Sequence, residues 1–146
     1  MKTYTIAIGC DHAGFQTKQE LVSFLQKQGH AVEDFGAYSD QSVDYPDHAR
    51  PVAEAVASGK VDLGIVLCGS GNGVNITANK QKSIRSALCW TPEIASLARQ
   101  HNNANICAIP ARFVSIDTAK AITQAYLEAD FEGGRHSNRI AKIEAK

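Results

Sequence analysis

Three groups of residues in this 146-residue chain have the types and spacing to do chemistry. The first is residues 63–80, "LGIVLCGSGNGVNITANK", where an apolar run ends in Cys68 and glycines follow at alternate positions, Gly69, Gly71 and Gly73. Successive amides of a glycine-rich turn that enters a helix form an anion-binding nest. The anion is either a phosphate or charge that develops during a reaction. A thiol at the edge of such a nest has its pKa drawn below the usual value of about 8.5, which makes it a base or nucleophile near neutral pH. The competing reading is packing, because free cysteine is among the most buried residue types.

Several named chemistries are excluded at this turn. "GSGNG" is not a P-loop, since no Gly-Lys-Ser/Thr follows, and it is not the G-x-G-x-x-G that follows a first strand in dinucleotide-binding folds. A cysteine phosphatase of the C-x5-R type needs arginine where Val74 stands.

The second group follows the other apolar runs or precedes one: Asp11 and His12 in "GCDHAG", Tyr45 in "DYPDH", His101 and Asn102 in "RQHNNAN", and Arg112 in "PARF". The third is "EGGRHSNR", which carries Arg135, His136 and Arg139. With Arg112 it offers three guanidinium forks, whose planar geometry matches phosphate oxygens. The alternative for these arginines is a solvated polar tail. Cys10 rivals Cys68 as the reactive thiol, because it too ends an apolar run, beside Asp11. Cys89 and Cys107 read as core, and Trp90 as a packing residue. His30, after Gly29 in a turn, reads as solvated, and His48 as part of a helix start. His136 either touches phosphate or caps a turn.

The elements that must position these residues alternate simply. Strands are expected over 4–9, 31–36, 61–68, 84–90 and 105–110. Helices are expected over 15–29 with Gly29 as C-cap, around the Ala49, Val52, Ala53, Val56 stripe, over 73–80, over 91–100 with Thr91 as N-cap and Pro92 at the first position, and over 115–129 with Ser115 as cap. An amphipathic helix closes the chain at about 137–146. The continuous apolar run 61–68 is that of a strand covered on both faces. This alternation specifies one α/β domain over 1–146, a Rossmann-like three-layer α/β/α arrangement with a five-stranded, mainly parallel sheet. In such sheets ligands bind beyond the carboxyl ends of the strands, where most of the candidate residues fall.

Composition narrows the partners. The formal net charge is zero and 21% of residues are charged, so neither nucleic acid nor an anionic membrane is expected. The N-terminal apolar stretch is too short for a signal peptide or a spanning segment. The four cysteines are widely separated without C-x-x-C, which suits reduced thiols and a cytoplasmic protein. The five histidines show no short ligand spacing, so no metal is expected and a metal-dependent hydride shift is disfavoured.

Taken together, "GCDHAG", "DYPDHA", "CGSGNG" followed by "ANK", "RQHNNAN", "ARF" and "EGGRHSNR" resemble, in order and spacing, the ribose-5-phosphate isomerase B family. That family includes relatives acting on allose 6-phosphate and galactose 6-phosphate. The resemblance runs from about residue 6 to 139. It implies a Rossmann-like fold, a homodimer or homotetramer with each active site between two subunits, and no metal or organic cofactor. It further implies that Cys68 is the base that moves a proton between C2 and C1 of a sugar phosphate through an enediolate. The amides of Gly69, Ser70, Gly71, Asn72 and Gly73 would then stabilise that intermediate. Asp11, and His101 from the partner subunit, would open the sugar ring, and Tyr45 and Asn102 would contact the sugar. His12, Arg112, Arg135 and Arg139 match phosphate-side positions, and the last helix is expected to dock on the partner. Some relatives use a glutamate just after the glycine turn. Here Val74 stands there, which places the chain in the cysteine branch. Pro110-Ala111 before Arg112 and Asn72 depart from the usual pattern and bear on substrate preference. The expected reaction is interconversion of ribose 5-phosphate and ribulose 5-phosphate. The alternatives are a six-carbon sugar phosphate as substrate, or a non-catalytic phospho-ligand- or nucleotide-binding module.

Overall fold

The computed structural model describes residues 2–145. Five strands form one sheet: β1 (Thr5–Cys10), β2 (Ala31–Asp34), β3 (Leu63–Cys68), β4 (Ser86–Leu88) and β5 (Ile106–Pro110). They run in the order β2-β1-β3-β5-β4. All four pairings are parallel, so the sheet is wholly and not only mainly parallel. The helices are α1 (Phe15–Lys27), α2 (Pro46–Ala57), α3 (Asn72–Asn79), α4 (Pro92–Asn102), α5 (Ile116–Glu128) and α6 (Arg135–Glu144).

The pleat sorts the strands into two cores, because successive side chains point to opposite faces. Ile6, Ile8 and Cys10 of β1, Leu63, Ile65 and Leu67 of β3, and Cys107 and Ile109 of β5 share one core with Leu21 and Leu25 of α1 and Ile122 and Tyr126 of α5. Their neighbours Ala7, Val66, Cys68, Ile106 and Ala108 face the other way, onto Val52 and Val56 of α2 and Val74 and Ala78 of α3. The result is three layers, with α1, α4 and α5 on one side of the sheet and α2 and α3 on the other.

The helix ends follow the expected chemistry. Thr91 and Ser115 cap α4 and α5 by accepting from the amides of Ile94 and Thr118, and Pro92 opens α4. Gly29, at φ +93°, turns the chain after α1. Other boundaries moved. β2 stops at Asp34 because the backbone turns at Gly36, φ +87°. β4 keeps only three residues, at the sheet edge. The last helix begins at Arg135, directly after Gly134 at φ +57°, and ends at Glu144, two residues earlier at each end than 137–146. A 3₁₀ turn at His12–Gly14, invisible to periodicity, is capped by Asp11. No helix among the described residues is long and apolar enough to cross a membrane.

His30 is not solvated. It is buried, stacks on Tyr4 and accepts the Tyr4 amide hydrogen through Nδ1 at 3.0 Å. Burial lowers its pKa below 6.5. The unfolded chain therefore binds a proton that the native chain refuses, so this contribution is present above about 6.5 and is lost as pH falls through that value toward the lower native one. His30→Asn, whose Oδ1 can still accept from Tyr4, should flatten the acid-side decline in stability, as read from urea midpoints above and below that value. At Gly9 of β1 a β-carbon would overlap the His48 carbonyl oxygen and stand 2.9 Å from Val52 Cγ2. Gly9→Ala should therefore push α2 off the sheet and cost about 1–3 kcal/mol in urea unfolding, with an unchanged m-value.

Candidate active site

The chain leaves β1 for one edge of the sheet through β2 and returns to β3 beside β1. This reversal of direction opens a crevice at the carboxyl ends of β1 and β3. Both strands end at the same level, with Cys10 opposite Leu67, and the Asp11 amide donates to the Leu67 carbonyl at 3.2 Å. β5 ends beside them, with Pro110 opposite Cys68.

Cys68 is the last residue of β3, and its side chain faces the α2/α3 side. The turn that follows is pinned by two backbone bonds, from the Ala111 amide to the Cys68 carbonyl and from the Arg112 amide to the Gly69 carbonyl. Gly71 caps α3 in the left-handed region, φ +76°, where a side chain would be strained and a β-carbon would also stand 2.5 Å from Leu88 Cδ1. The Ser70 hydroxyl oxygen accepts the Asn72 amide at 3.2 Å, leaving its own hydrogen to donate outward. The other first-turn amides of α3 have no acceptor within the helix, and α3 starts four residues after Cys68, directly after the glycine turn.

The other side chains of this pole are fixed around the turn. A β-carbon on Gly69 would stand 3.1 Å from Arg112 Cδ, which places that guanidinium arm over the turn. The Tyr45 ring lies so close to Gly73 that a β-carbon there would be 2.5 Å away. Asp11 accepts the Ala13 and Gly14 amides through Oδ1, at 2.9 and 3.3 Å, which leaves Oδ2 for another partner. His12 accepts the Val43 amide through Nδ1 at 3.2 Å. Its Nε2 then carries the proton in the neutral ring and acts as the donor. The His12 clamp by Val43 is not visible in a motif, because it depends on a loop returning from 31 residues away.

Four of the predicted site residues divide differently. α4 runs antiparallel to the strands and delivers its end to the start of β5, so His101 and Asn102 lie at the amino edge of the sheet. The Asn102 carbonyl accepts from Arg85, immediately before β4. The five residues of β5 separate this edge from Cys68 by roughly 16 Å of strand. His101 stacks on His136, with ring centres 4.3 Å apart. Arg135 and Arg139 flank His136 on α6 and, after burial and His101, help lower its pKa. Within one chain, His101, Asn102, Arg135 and Arg139 are therefore not brought to Cys68. Counting from strand ends misses this, because a helix end lies at the opposite edge. The sequence reading also gave no role to Glu132, whose Oε1 lies 3.5 Å from His136 Nε2 and 3.9 Å from His101 Nε2. The four-residue spacing of Glu132 and His136 is the signal that could have found it.

The pleat sends the two candidate thiols to opposite faces of the sheet. Cys10 faces the α1/α5 core, away from the nest, and burial pushes its pKa up to about 12. Cys107 is raised well above the ordinary thiol range, chiefly by its hydrogen bond with Cys89 and then by burial. Trp90 is 45% exposed and tilts against the exposed Phe113, with ring centres 5.4 Å apart. Iodoacetamide applied to the native protein near neutral pH should alkylate Cys68 and spare Cys10, Cys89 and Cys107, as read by peptide mass mapping. Labelling of Cys10 first would reverse this ordering.

The Ribose/Galactose Isomerase family model matches residues 6–143. Ribose-5-phosphate isomerase B of Escherichia coli strain K12 is 48% identical over 140 residues, covering 96% of this chain and 94% of that protein. The structure of Clostridium thermocellum ribose-5-phosphate isomerase B superposes with a TM-score of 0.95 at 48% identity, over 96% of this chain and 95% of that one. That of the Mycoplasma genitalium enzyme with bound ribulose-5-phosphate gives 0.92 at 42% identity, over 99% and 95%. With matches of this extent, the chain belongs to the ribose/galactose isomerase family.

Proposed function

We propose that this chain is a cytoplasmic, cofactor-free aldose–ketose isomerase that interconverts ribose 5-phosphate and ribulose 5-phosphate. It works as a homodimer or pair of dimers. The observation that carries the reading is the placement of Cys68: among the four free cysteines it alone faces the α2/α3 side, at the mouth of the glycine turn. A binding module has no use for a thiol there. The relative solved with ribulose-5-phosphate and the ribose-5-phosphate isomerase B of E. coli support the choice of sugar. Four free thiols suit a reducing compartment.

In the open-chain aldose the C2 proton lies next to the C1 carbonyl. The Cys68 thiolate removes it, and negative charge moves onto the carbonyl oxygen to give an enediolate. The proton then returns to C1, while the hydroxyl proton on O2 passes to O1, which leaves the ketose. Donors already aimed at that oxygen are each worth about 3 kcal/mol, and the amides of Gly69–Gly73 with the Ser70 hydroxyl are the candidates. His12, as an Nε2–H donor, and Arg112 supply phosphate contacts from the same pole, and Tyr45 borders the sugar.

The missing half comes from a second copy. His101 and Asn102 of the partner subunit would close over Cys68 to open the ring and hold the sugar, with Arg135 and Arg139 completing the phosphate grip. Two features of the chain support this. The groups for ring opening and proton transfer sit at opposite edges of the sheet. The terminal α6 also leaves Ile143 63% exposed, an apolar face suited to docking on a partner.

Proton NMR in D2O of chelator-treated protein should show ribose 5-phosphate converting to ketose with solvent deuterium at C1, and slower or no conversion of allose 6-phosphate and galactose 6-phosphate. Cys68→Ala should cut turnover by about 10²–10⁴-fold while substrate still binds. Co-refolding inactive Cys68→Ala with inactive His101→Gln should restore about a quarter of wild-type activity, since half of the dimers are mixed and each holds one intact site. No turnover of any sugar by the wild-type protein would leave a binding module as the better account.

A further inference from the structure

The sequence shows five scattered histidines, yet the fold gathers two of them with a carboxylate. The ligand atoms of His101, Glu132 and His136 lie within 4.8 Å of one another. We infer that these three residues form a binding site for a zinc-class divalent cation, and that its occupancy arrests the isomerisation. The inhibitory half rests on the role proposed for His101, whereas the binding half does not.

Three observations carry the site. His136 is 94% buried, and its Nε2 makes no hydrogen bond among the described residues. A buried imidazole nitrogen without a partner is costly, and a metal would satisfy it. Next, Glu132 Oε1 stands beside the stacked rings, 3.5 Å from His136 Nε2 and 3.9 Å from His101 Nε2. Its segment is held in place by the Glu132 amide, which donates to the Gln100 carbonyl at 3.0 Å, so α4 and the α6 approach form one frame. Finally, two imidazoles and one carboxylate are the donor set of open zinc sites, and are poor ligands for magnesium or calcium.

Tetrahedral zinc with bonds near 2.0–2.1 Å wants its ligand atoms roughly 3.3 Å apart. The needed contraction falls on His101 and Glu132, whose side chains are 38% and 50% exposed, with the His101 ring turning out of its stack so that its Nε2 lone pair meets that of buried His136, the anchor. Arg135 and Arg139 nearby oppose a dication, so binding should be micromolar rather than the far tighter binding of structural zinc. A cation here occupies the His101 imidazole, the side chain proposed above for ring opening. No covalent or redox step is involved, only competition of the metal with a proton for one nitrogen.

The test is calorimetric titration of chelator-stripped full-length protein with zinc chloride, alongside the absorption spectrum of the cobalt(II) form. One zinc per chain should bind, and cobalt should show tetrahedral bands without thiolate charge transfer. His136→Gln and the solvent-facing Glu132→Gln should each weaken binding about tenfold or more, and Cys68→Ala should leave it unchanged. No saturable binding, or binding lost in Cys68→Ala and kept in Glu132→Gln, would overturn the site. With ribose 5-phosphate as substrate, zinc should slow turnover reversibly to chelator, and Glu132→Gln should need about tenfold more zinc for the same inhibition. Zinc bound through Glu132 with turnover unaffected would overturn the inhibitory half. A protein with no isomerase activity would remove the inhibitory half together with the proposed function, and the calorimetric arm would still decide the site.

Discussion

The register between β1 and β3 is the constraint on which the rest of the site depends. Cys10 stands opposite Leu67 and Cys68 opposite Pro110, so three strands finish at one level and hand their loops to one crevice. Because side chains alternate across a strand, a slip of one residue would exchange the faces of Cys68 and Leu67. The thiol would then enter the α1/α5 core, and a leucine would face the glycine turn. The sheet resists this slip strongly. Ile65 and Leu67 fill one core and Val66 packs in the other, so a shift would leave both misfilled at once. The placement of Cys68 at the glycine turn is thus secured by apolar packing that has no chemical role of its own.

The same topology keeps the two groups of candidate residues apart within one chain. In a parallel α/β sheet each helix returns the chain to the starting edge, so residues ending a helix face away from residues ending a strand. His101 and Asn102 end a helix, whereas Cys68, Asp11 and Arg112 follow strands. A site that needs both must either bend a loop the length of the sheet or recruit another copy. A rotation that places the amino edge of one chain over the carboxyl edge of the next makes two identical sites at once, the natural product of twofold symmetry.

Much of this was legible in the sequence for identifiable reasons. The apolar run ending at Cys68 is long, continuous and stopped by glycines, so both its strand and its turn read directly. The caps Thr91 and Ser115 are local interactions, decided within three residues of chain. What local pattern does not contain is distance. Strand order, the opposite facing of Cys10 and Cys68, and the burial of His30 by Tyr4 all depend on segments far apart in sequence. His30 is instructive, since a histidine after a glycine turn is usually wet. Here the turn folds it back beside the first strand, where its ring nitrogen replaces a missing backbone acceptor. The grouping of His101 with Glu132 and His136 was hidden in the same way, because helix α4 and the approach to α6 meet only after α5 has crossed the sheet.

An enediolate must be formed away from water, since bulk solvent would screen the donors that stabilise it and quench the intermediate. In a single chain the α2/α3 pole is open. Tyr45 and Arg112 are exposed, and Trp90 and Phe113 form an apolar pair facing outward beside the turn. Exposed aromatic surface next to a charged pole is what a closing partner would cover, and covering it would strengthen every hydrogen bond to the anion by lowering the local dielectric. On the proposed reading, the second subunit therefore supplies more than His101. It turns a solvent-facing nest into an enclosed one, so that the same amides and the same thiol gain catalytic strength without changing position.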